Sequence, residues 1–510
     1  MFTTPFSISI LMLMDHPIRA AKAAYSPTIA LLSIALALGG CAGTPEVPVP
    51  DISFSPSFRH GGVPQPDESS GDIQWWRQFE DDQLVRLVER TATANHDIRI
   101  AVERARQARA GTTATESRLF PSVDVTVSRS DSRTGLPTMI KQSMPDTKAT
   151  RAGVDVAWEI DLFGGTRAAA SAAGKDAVAA TFGVSGAQLI AASEVARQYF
   201  IWHGARQRLE ILESLLQTQR DTERLTRSRY REGMASEFDV ARAAGEAYTM
   251  EASLPQLRTL MAVTESRIAV LAGSDASTPV PELHTAVDQF HWTTPTAPFT
   301  GQPADLLRRR PDLLAAEQRL SAESSRLAEA KSNRFPKIFL SALFGTQKLT
   351  LNDTLSLPAS RYSNVVAAFV LPLFNAGRIQ AGIDAQSARE RESLLSYEQS
   401  ILGAIEDVEN SLAALAGERQ RGDSLTDAAT ERERAVAHAS SLFREGQIDL
   451  LQYLDVQRAR LATELALAES NAQRAITYVQ LYKALGGGWE VLPAPANAPI
   501  AENSSSGVKQ

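Results

Sequence analysis

A single cysteine, Cys41, is the scarcest feature of this 510-residue chain. It excludes an intramolecular disulfide and, within one chain, any zinc site built on four cysteines or on a pair of cysteines with a pair of histidines. The seven histidines show no metal-ligand spacing. Four catalytic signatures are missing: G-x-x-x-x-G-K, G-x-G-x-x-G, H-E-x-x-H and G-x-S-x-G. The chain therefore reads as a non-enzyme without a bound cofactor. A formal net charge of −7 gives no basis for a nucleic-acid partner. No apolar run of transmembrane-helix length follows residue 40, so a membrane is met through a lipid anchor or a β-barrel. The hydrophobic share of 44% and charged share of 22% are those of a folded protein.

The cysteine stands where a lipid anchor begins. Arg19 and Lys22 precede the apolar stretch Ile29–Leu38, which ends in Gly39-Gly40-Cys41. A basic segment, a short apolar core and small residues at the cleavage point make residues 1–40 a secretory signal, with Met14 as the alternative start. Leu38-Gly-Gly-Cys41 resembles the bacterial lipobox, in which the cysteine sulfur receives a diacylglycerol and becomes the first residue. Ala42, rather than aspartate, follows it, as in lipoproteins sent on to the outer membrane. Residues 41–74, rich in Pro, Ser and Gly, read as an extended lipidated tether.

Beyond the tether, one unit occurs twice. In the first copy (75–302) a helical period runs from Leu84 to about Ala114. Phe120-Pro121 ends it, because proline disfavours helix in the residue before it. Val123, Val125 and Val127 alternate with polar residues, and Val154, Val156, Trp158 and Ile160 do so after a polar loop, which reads as a hairpin. Leu162-Phe-Gly-Gly165 then turns the second strand into an Ala-rich helix from Thr166 to Arg231. Gly233 ends that helix, Ser236 caps the next, and the return helix reaches Gly273. The second copy (303–490) repeats the anchors. Phe335-Pro336 matches Phe120-Pro121 (336 − 121 = 215), Leu373-Phe374 matches Leu162-Phe163 (373 − 162 = 211), and Arg444-Glu445-Gly446 matches Arg231-Glu232-Gly233 (446 − 233 = 213). Its strands are expected at 337–347 and 362–372 with a loop between, and residues 491–510 read as a disordered tail.

Four short strands per chain are too few to close a membrane barrel, where about eight is the lower limit. Three chains supply twelve. Narrow apolar stripes and many alanines suit the long helices to side-by-side packing around a ring. Trp158 and Phe369 occupy matching strand positions, either facing lipid or packed between subunits.

Trp75-Trp76 with Phe79, Arg309-Arg310-Pro311-Asp312, both Phe-Pro pairs, Asp161-Leu-Phe-Gly-Gly165, Pro372-Leu-Phe-Asn375 and both Arg-Glu-Gly turns resemble the outer-membrane factors of tripartite efflux pumps. The resemblance is to the TolC-like family in its NodT-type lipoprotein branch, and it spans about residues 41–490. It implies a mainly α fold with a β-barrel: a homotrimer whose twelve-stranded barrel in the outer membrane of a Gram-negative bacterium continues into a periplasmic α-helical barrel. It also implies a periplasmic membrane-fusion adaptor, an inner-membrane RND-type transporter, contact with outer-membrane lipid, and passive export of drugs or other small lipophilic compounds.

The same resemblance puts the turns carrying Arg231, Glu232, Gly233 and Ser236, and Arg444, Glu445, Gly446 and Asp449, at the adaptor-docking tip. An ordinary helix–helix turn needing glycine accounts for the two glycines alone. Leu451, Asp455 and Arg458 share one helix face and stand where related channels close their pore. A solvated face with an intrahelical ion pair is the plainer reading, and only the second copy carries this set. Two other functions use similar parts. A type I secretion channel for proteins shares the fold, and a periplasmic adaptor or coiled-coil scaffold shares long helical hairpins and a lipobox.

Overall fold

Side-chain caps decide where the helices begin and end. The computed structural model describes residues 47–61, 74–133, 135, 137–141, 145–284, 290–293, 295 and 300–493. The signal segment, Cys41 and the expected tail from 494 onward lie outside the described residues. After a 3-10 turn at Trp75–Phe79, the Asp81 carboxylate accepts the Gln83 and Leu84 N–H groups and opens α1, Asp82–Ala94. Asn95, in extended backbone, ends α1 and caps α2, His96–Glu116, while its amide donates to the Leu271 carbonyl at 2.8 Å. The single helical period expected over 84–114 is therefore two helices.

Copy one continues with β1 (Ser122–Ser132), β2 (Thr147–Ile160), α3 (Gly165–Arg231) and α4 (Glu237–Leu271). Copy two supplies α5 (Pro311–Ser332), β3 (Lys337–Leu351), β4 (Ser360–Val370), α6 (Arg378–Arg444) and α7 (Leu450–Ala484). The long helices α3 and α6 each have 67 residues, and the return helices α4 and α7 each have 35. Both ends of the long pair stand 213 residues apart (378 − 165 and 444 − 231). At 1.5 Å per residue a long helix spans about 100 Å. Sequence reading expected no run of transmembrane length after residue 40, but α3 is long and apolar enough to cross a membrane by length and composition alone; 44% of its most apolar stretch is buried inside the chain, as in a core helix. In α4 the helix runs through Pro255, which removes one backbone bond; Leu254 and Leu257, on either side, are buried in a cluster with Leu212 and Leu216.

All strands are antiparallel in the order β1-β2-β3-β4. The loop expected over 348–361 is much shorter. β3 runs on to Leu351, the chain reverses at Asn352 and Asp353 in left-handed backbone (φ 48 and 59), and Leu355–Ser356 pairs back onto β3. Asn and Asp tolerate that conformation better than most residues.

The main core gathers Trp75, Trp76 and Phe79 with Val195, Tyr199 and Phe200 of α3, Ile401 and Val408 of α6, and Tyr478 of α7. Trp75 stacks on Tyr482 at 5.8 Å, and the Tyr199 hydroxyl donates to Asp81 at 2.6 Å. Gly204 lets α7 approach α3, since a Cβ there would stand 2.6 Å from that of Ala472. Arg310 ties copy two together by pairing with Asp312 and Asp407 and donating to the Ala484 carbonyl.

The tether is docked over residues 47–61. The Asp51 N–H donates to Glu398, those of Arg59 and His60 donate to Glu409, the His60 ring lies 2.9 Å from Glu409, and Phe58 is buried in the core. Burial works to raise the Glu409 carboxyl, but these hydrogen bonds outweigh it and hold it below the ordinary carboxylate range.

Candidate functional site

Alternation sorts the sheet into two unlike faces. On one face Val125 opposes Val154, Val154 opposes Phe344, Trp158 opposes Leu340, and Ile338 opposes Phe369. Residues two apart in each strand extend this face with Val123, Val127, Val156, Ala342 and Val365. In the isolated chain its outer strands are the most exposed, with Val125 at 79% and Phe369 at 65%, while Val156, Trp158, Ile338 and Leu340 are half-buried. The other face carries Thr126 donating to Asp155 at 2.8 Å and a Lys337–Glu159 pair at 3.0 Å. An eleven-residue strand tilted by about 45° rises roughly 26 Å, close to the apolar band of a membrane barrel. Trp158 and Phe369 both lie on the apolar face. The Trp158 indole also donates to the Leu119 carbonyl at 3.0 Å, while Phe369 is mostly exposed.

Gly153 and Gly345 oppose each other on the polar face, which sequence reading passed over. A Cβ on Gly345 would stand 2.4 Å from the Ala152 carbonyl oxygen, and one on Gly153 would stand 2.9 Å from the Tyr362 hydroxyl. Isolated glycines within strand patterns are the signal that marks such a close approach. At the strand–helix junction Asp161 accepts from the Arg167 backbone and guanidinium, fixing the turn into α3.

At the opposite end the two helix turns are built alike. In the first, Gly233 has φ 77, Met234 N–H donates to the Arg229 carbonyl and Gly233 N–H to Tyr230. In the second, Gly446 has φ 74, with Gln447 donating to Leu442 and Gly446 to Phe443. This double bond closes a helix C-terminus and needs left-handed backbone at the glycine. Ser236 then shares a reciprocal cap with Asp239, and Asp449 does so with Gln452. The Ser236 hydroxyl and N–H hold the Asp239 carboxyl below its ordinary range. Arg231, Glu232, Gly233, Ser236, Arg444, Glu445, Gly446 and Asp449 are all exposed.

The structure places Leu451, Asp455 and Arg458 together on the exposed face of α7, while Leu450, Tyr453 and Leu454 are buried. Arg458 bonds Asp455 at 3.4 Å and also pairs with Glu246 of α4. Arg242 of α4 reaches Asp455 at 4.0 Å. Neither Arg242 nor Glu246 stands out in the sequence, because these contacts cross from one copy to the other. Nothing in either helix alone announces them.

The sequence matches the outer membrane efflux protein family in two segments, residues 87–274 and 303–487. Those segments fall on the two copies. The chain is 30% identical over 476 residues to the pyoverdine export outer membrane protein OpmQ of Pseudomonas aeruginosa, covering 91% of this chain and 97% of that protein. Nodulation protein T of Rhizobium leguminosarum bv. trifolii is 27% identical over 462 residues, covering 89% and 96%. Among solved structures the outer-membrane channel OprN superposes with a TM-score of 0.80 at 29% identity, covering 88% of this chain and all of that one. With its partly exposed apolar sheet running into two matched helical hairpins, the chain belongs to the outer membrane efflux protein family and is an outer-membrane efflux channel.

Proposed function

We propose that three copies of this chain close into a twelve-stranded barrel and a helical tube, forming the passive exit duct of a tripartite pump for small toxic or lipophilic compounds. One observation carries this reading. The four-stranded sheet has an apolar face left largely exposed along β1 and β4, and these outer strands each pair on one side only. Unpaired edges in hydrocarbon are too costly to leave open, and closure through further copies removes them. The matched exposed turns give six similar edges per trimer, suited to the hairpins of a periplasmic adaptor that links the duct to an inner-membrane transporter of the RND type. A lipid on Cys41 anchors each chain to the membrane the barrel spans.

The constriction lies at the second-copy turn. Three Leu451 side chains near an axis exclude water, and three Asp455 carboxylates attract cations and repel anions. Single-channel conductance in a planar bilayer tests both parts. Wild type is expected to give small, mostly closed currents, and Leu451→Ala/Asp455→Ala larger and longer ones. Equal currents from both would remove the constriction and leave the duct. Silence from both, in folded protein, would sink the duct itself.

A further inference from the structure

Each strand–helix junction carries one arginine, and only one of the two is neutralised. Just after β2, Asp161 accepts from the Arg167 backbone N–H at 2.8 Å and from its guanidinium at 3.2 Å. After β4, Pro372 stands in the aspartate's place (372 − 161 = 211) and Arg378 in the arginine's (378 − 167 = 211). An uncharged amide holds this second junction: Asn375 Oδ1 accepts the Ile379 N–H at 3.3 Å. The first turn of α6 has no acidic residue. The exposed Arg378 guanidinium has no hydrogen-bond or ion-pair partner among the described residues.

Arg378 lines a cavity of about 410 Å³ bounded by α5, β3, β4 and α6. Phe335, Val370, Pro372 and Ile379 form its apolar walls, and Asn333 and Lys337 are the other polar side chains described on it. Phe335 rests on the Phe163 ring, with centres 5.0 Å apart, and stays 43% exposed. Lys337 is already matched by Glu159 at 3.0 Å. Among the described residues lining the cavity, Arg378 is the charge left unmatched. Lys337 and Val370 oppose each other on the polar face of the sheet, so the cavity lies at the foot of that face. In the closed barrel proposed above, this face lines the lumen.

We infer that this cavity binds small amphiphilic anions, with a ring on the apolar walls and a carboxylate, sulfonate or phosphate on Arg378. An unpaired guanidinium presents a planar fork of donors that fits such an oxyanion. In copy one that fork is filled from within the chain by Asp161; in copy two proline leaves it open. A neutral or cationic ring gains only the walls. The anionic group can belong to a dissolved solute or to an anionic phospholipid, since the chemistry offered is the same. Every residue of the site comes from one chain, so its binding is independent of the gate and of how many copies close the barrel.

The test is equilibrium dialysis of the full chain in phosphatidylcholine nanodiscs against benzenesulfonate, benzyl alcohol and benzylammonium, with binding to empty discs subtracted. Benzenesulfonate is expected to bind about tenfold more tightly than the alcohol, the gain of one charge-assisted contact, and benzylammonium most weakly. Arg378→Gln should remove that tenfold preference. Pro372→Asp should remove it too, with the arginine still present, by rebuilding the pairing of copy one. Arg167→Gln is the control and should leave the preference in place, because its guanidinium is already occupied. Discs containing phosphatidylglycerol separate the two sources: unchanged benzenesulfonate binding supports a dissolved anion, and Arg378-dependent displacement supports a lipid headgroup. Equal binding of the three probes, or an equal loss from Arg167→Gln and Arg378→Gln, would overturn the site. If Pro372→Asp does not fold, the two arginine variants decide the question by themselves.

Discussion

The two helix tips have the same backbone and different coverings. At the first, Met234 is 66% exposed and Phe238 70%. At the second, Phe443 and Tyr453 stack at 5.0 Å with planes 1° apart, both buried, and the Arg229 guanidinium lies 5.0 Å from the Phe443 ring. Equal helix lengths, equal glycine closures and equal caps make the tips superimposable in outline. What each tip does then depends on a few side chains: an apolar surface left free on one, an aromatic clasp beside Leu451 and Asp455 on the other. Duplication preserved the frame and let the roles diverge.

The clasp is where the largest difference is expected. Tyr453→Ala removes a buried, stacked ring and should cost about 3 kcal/mol, the lower range for buried aromatic truncation. Phe238→Ala should stay within about 0.5 kcal/mol. Denaturant unfolding in detergent, followed by circular dichroism, reads both, and equal costs would show that Phe238 is covered as fully as Tyr453. Next comes the seam between copies. Gly204→Val forces a side chain into Ala472 and should cost about 2 kcal/mol through overpacking of α3 on α7.

A third difference is chemical. His203 is buried, with neither ring nitrogen finding a hydrogen-bond partner among the described residues, and copy two has Ala416 at the matching position. Burial, helped by the nearby Arg206 charge, pushes its pKa down to about 3. The unfolded chain takes up this proton near pH 6.5 and the folded chain does not. Stability from this group is therefore complete above about pH 6.5 and falls by about 1.4 kcal/mol per unit as pH drops toward the folded value. His203→Leu should flatten that part of the acid-unfolding profile. An unchanged slope would mean that the ring takes up its proton without unfolding.

Much of this was legible because the governing signals are local. Gly233 and Gly446, Ser236 and Asp449, and the alternating valines each settle their own conformation within a few residues, so the hairpins, long helices and turns follow from the chain. Repetition then tied these local readings together. Asn95 shows the first limit: an apolar period continued through it, and only its cap and the bond to Leu271 reveal the break. The Asn352-Asp353 reversal was hidden because several polar residues nearby suit a turn equally well. Glu246 with Arg458, Arg242 with Asp455, and Glu409 with the tether are contacts between segments far apart in sequence. Charges on exposed helix faces carry no mark of their eventual partner.

The smallest predicted effect separates the tips most finely. Ser236→Ala and Asp449→Ala each remove one reciprocal cap, worth about 1 kcal/mol at a helix N-terminus. Global unfolding barely registers a change at an end that opens locally, so hydrogen exchange of the first-turn amides is the suitable measurement. At the first tip nothing stacked lies over the turn among the described residues, and Ser236→Ala should speed local exchange about fivefold, the ratio that about 1 kcal/mol sets. At the second, the buried Phe443–Tyr453 pair holds α7 against α6 after the cap is lost. Asp449→Ala should therefore give a smaller increase. Equal increases at both tips would mean that the cap alone holds each turn, and that the aromatic clasp stiffens the helices below it without reaching the end.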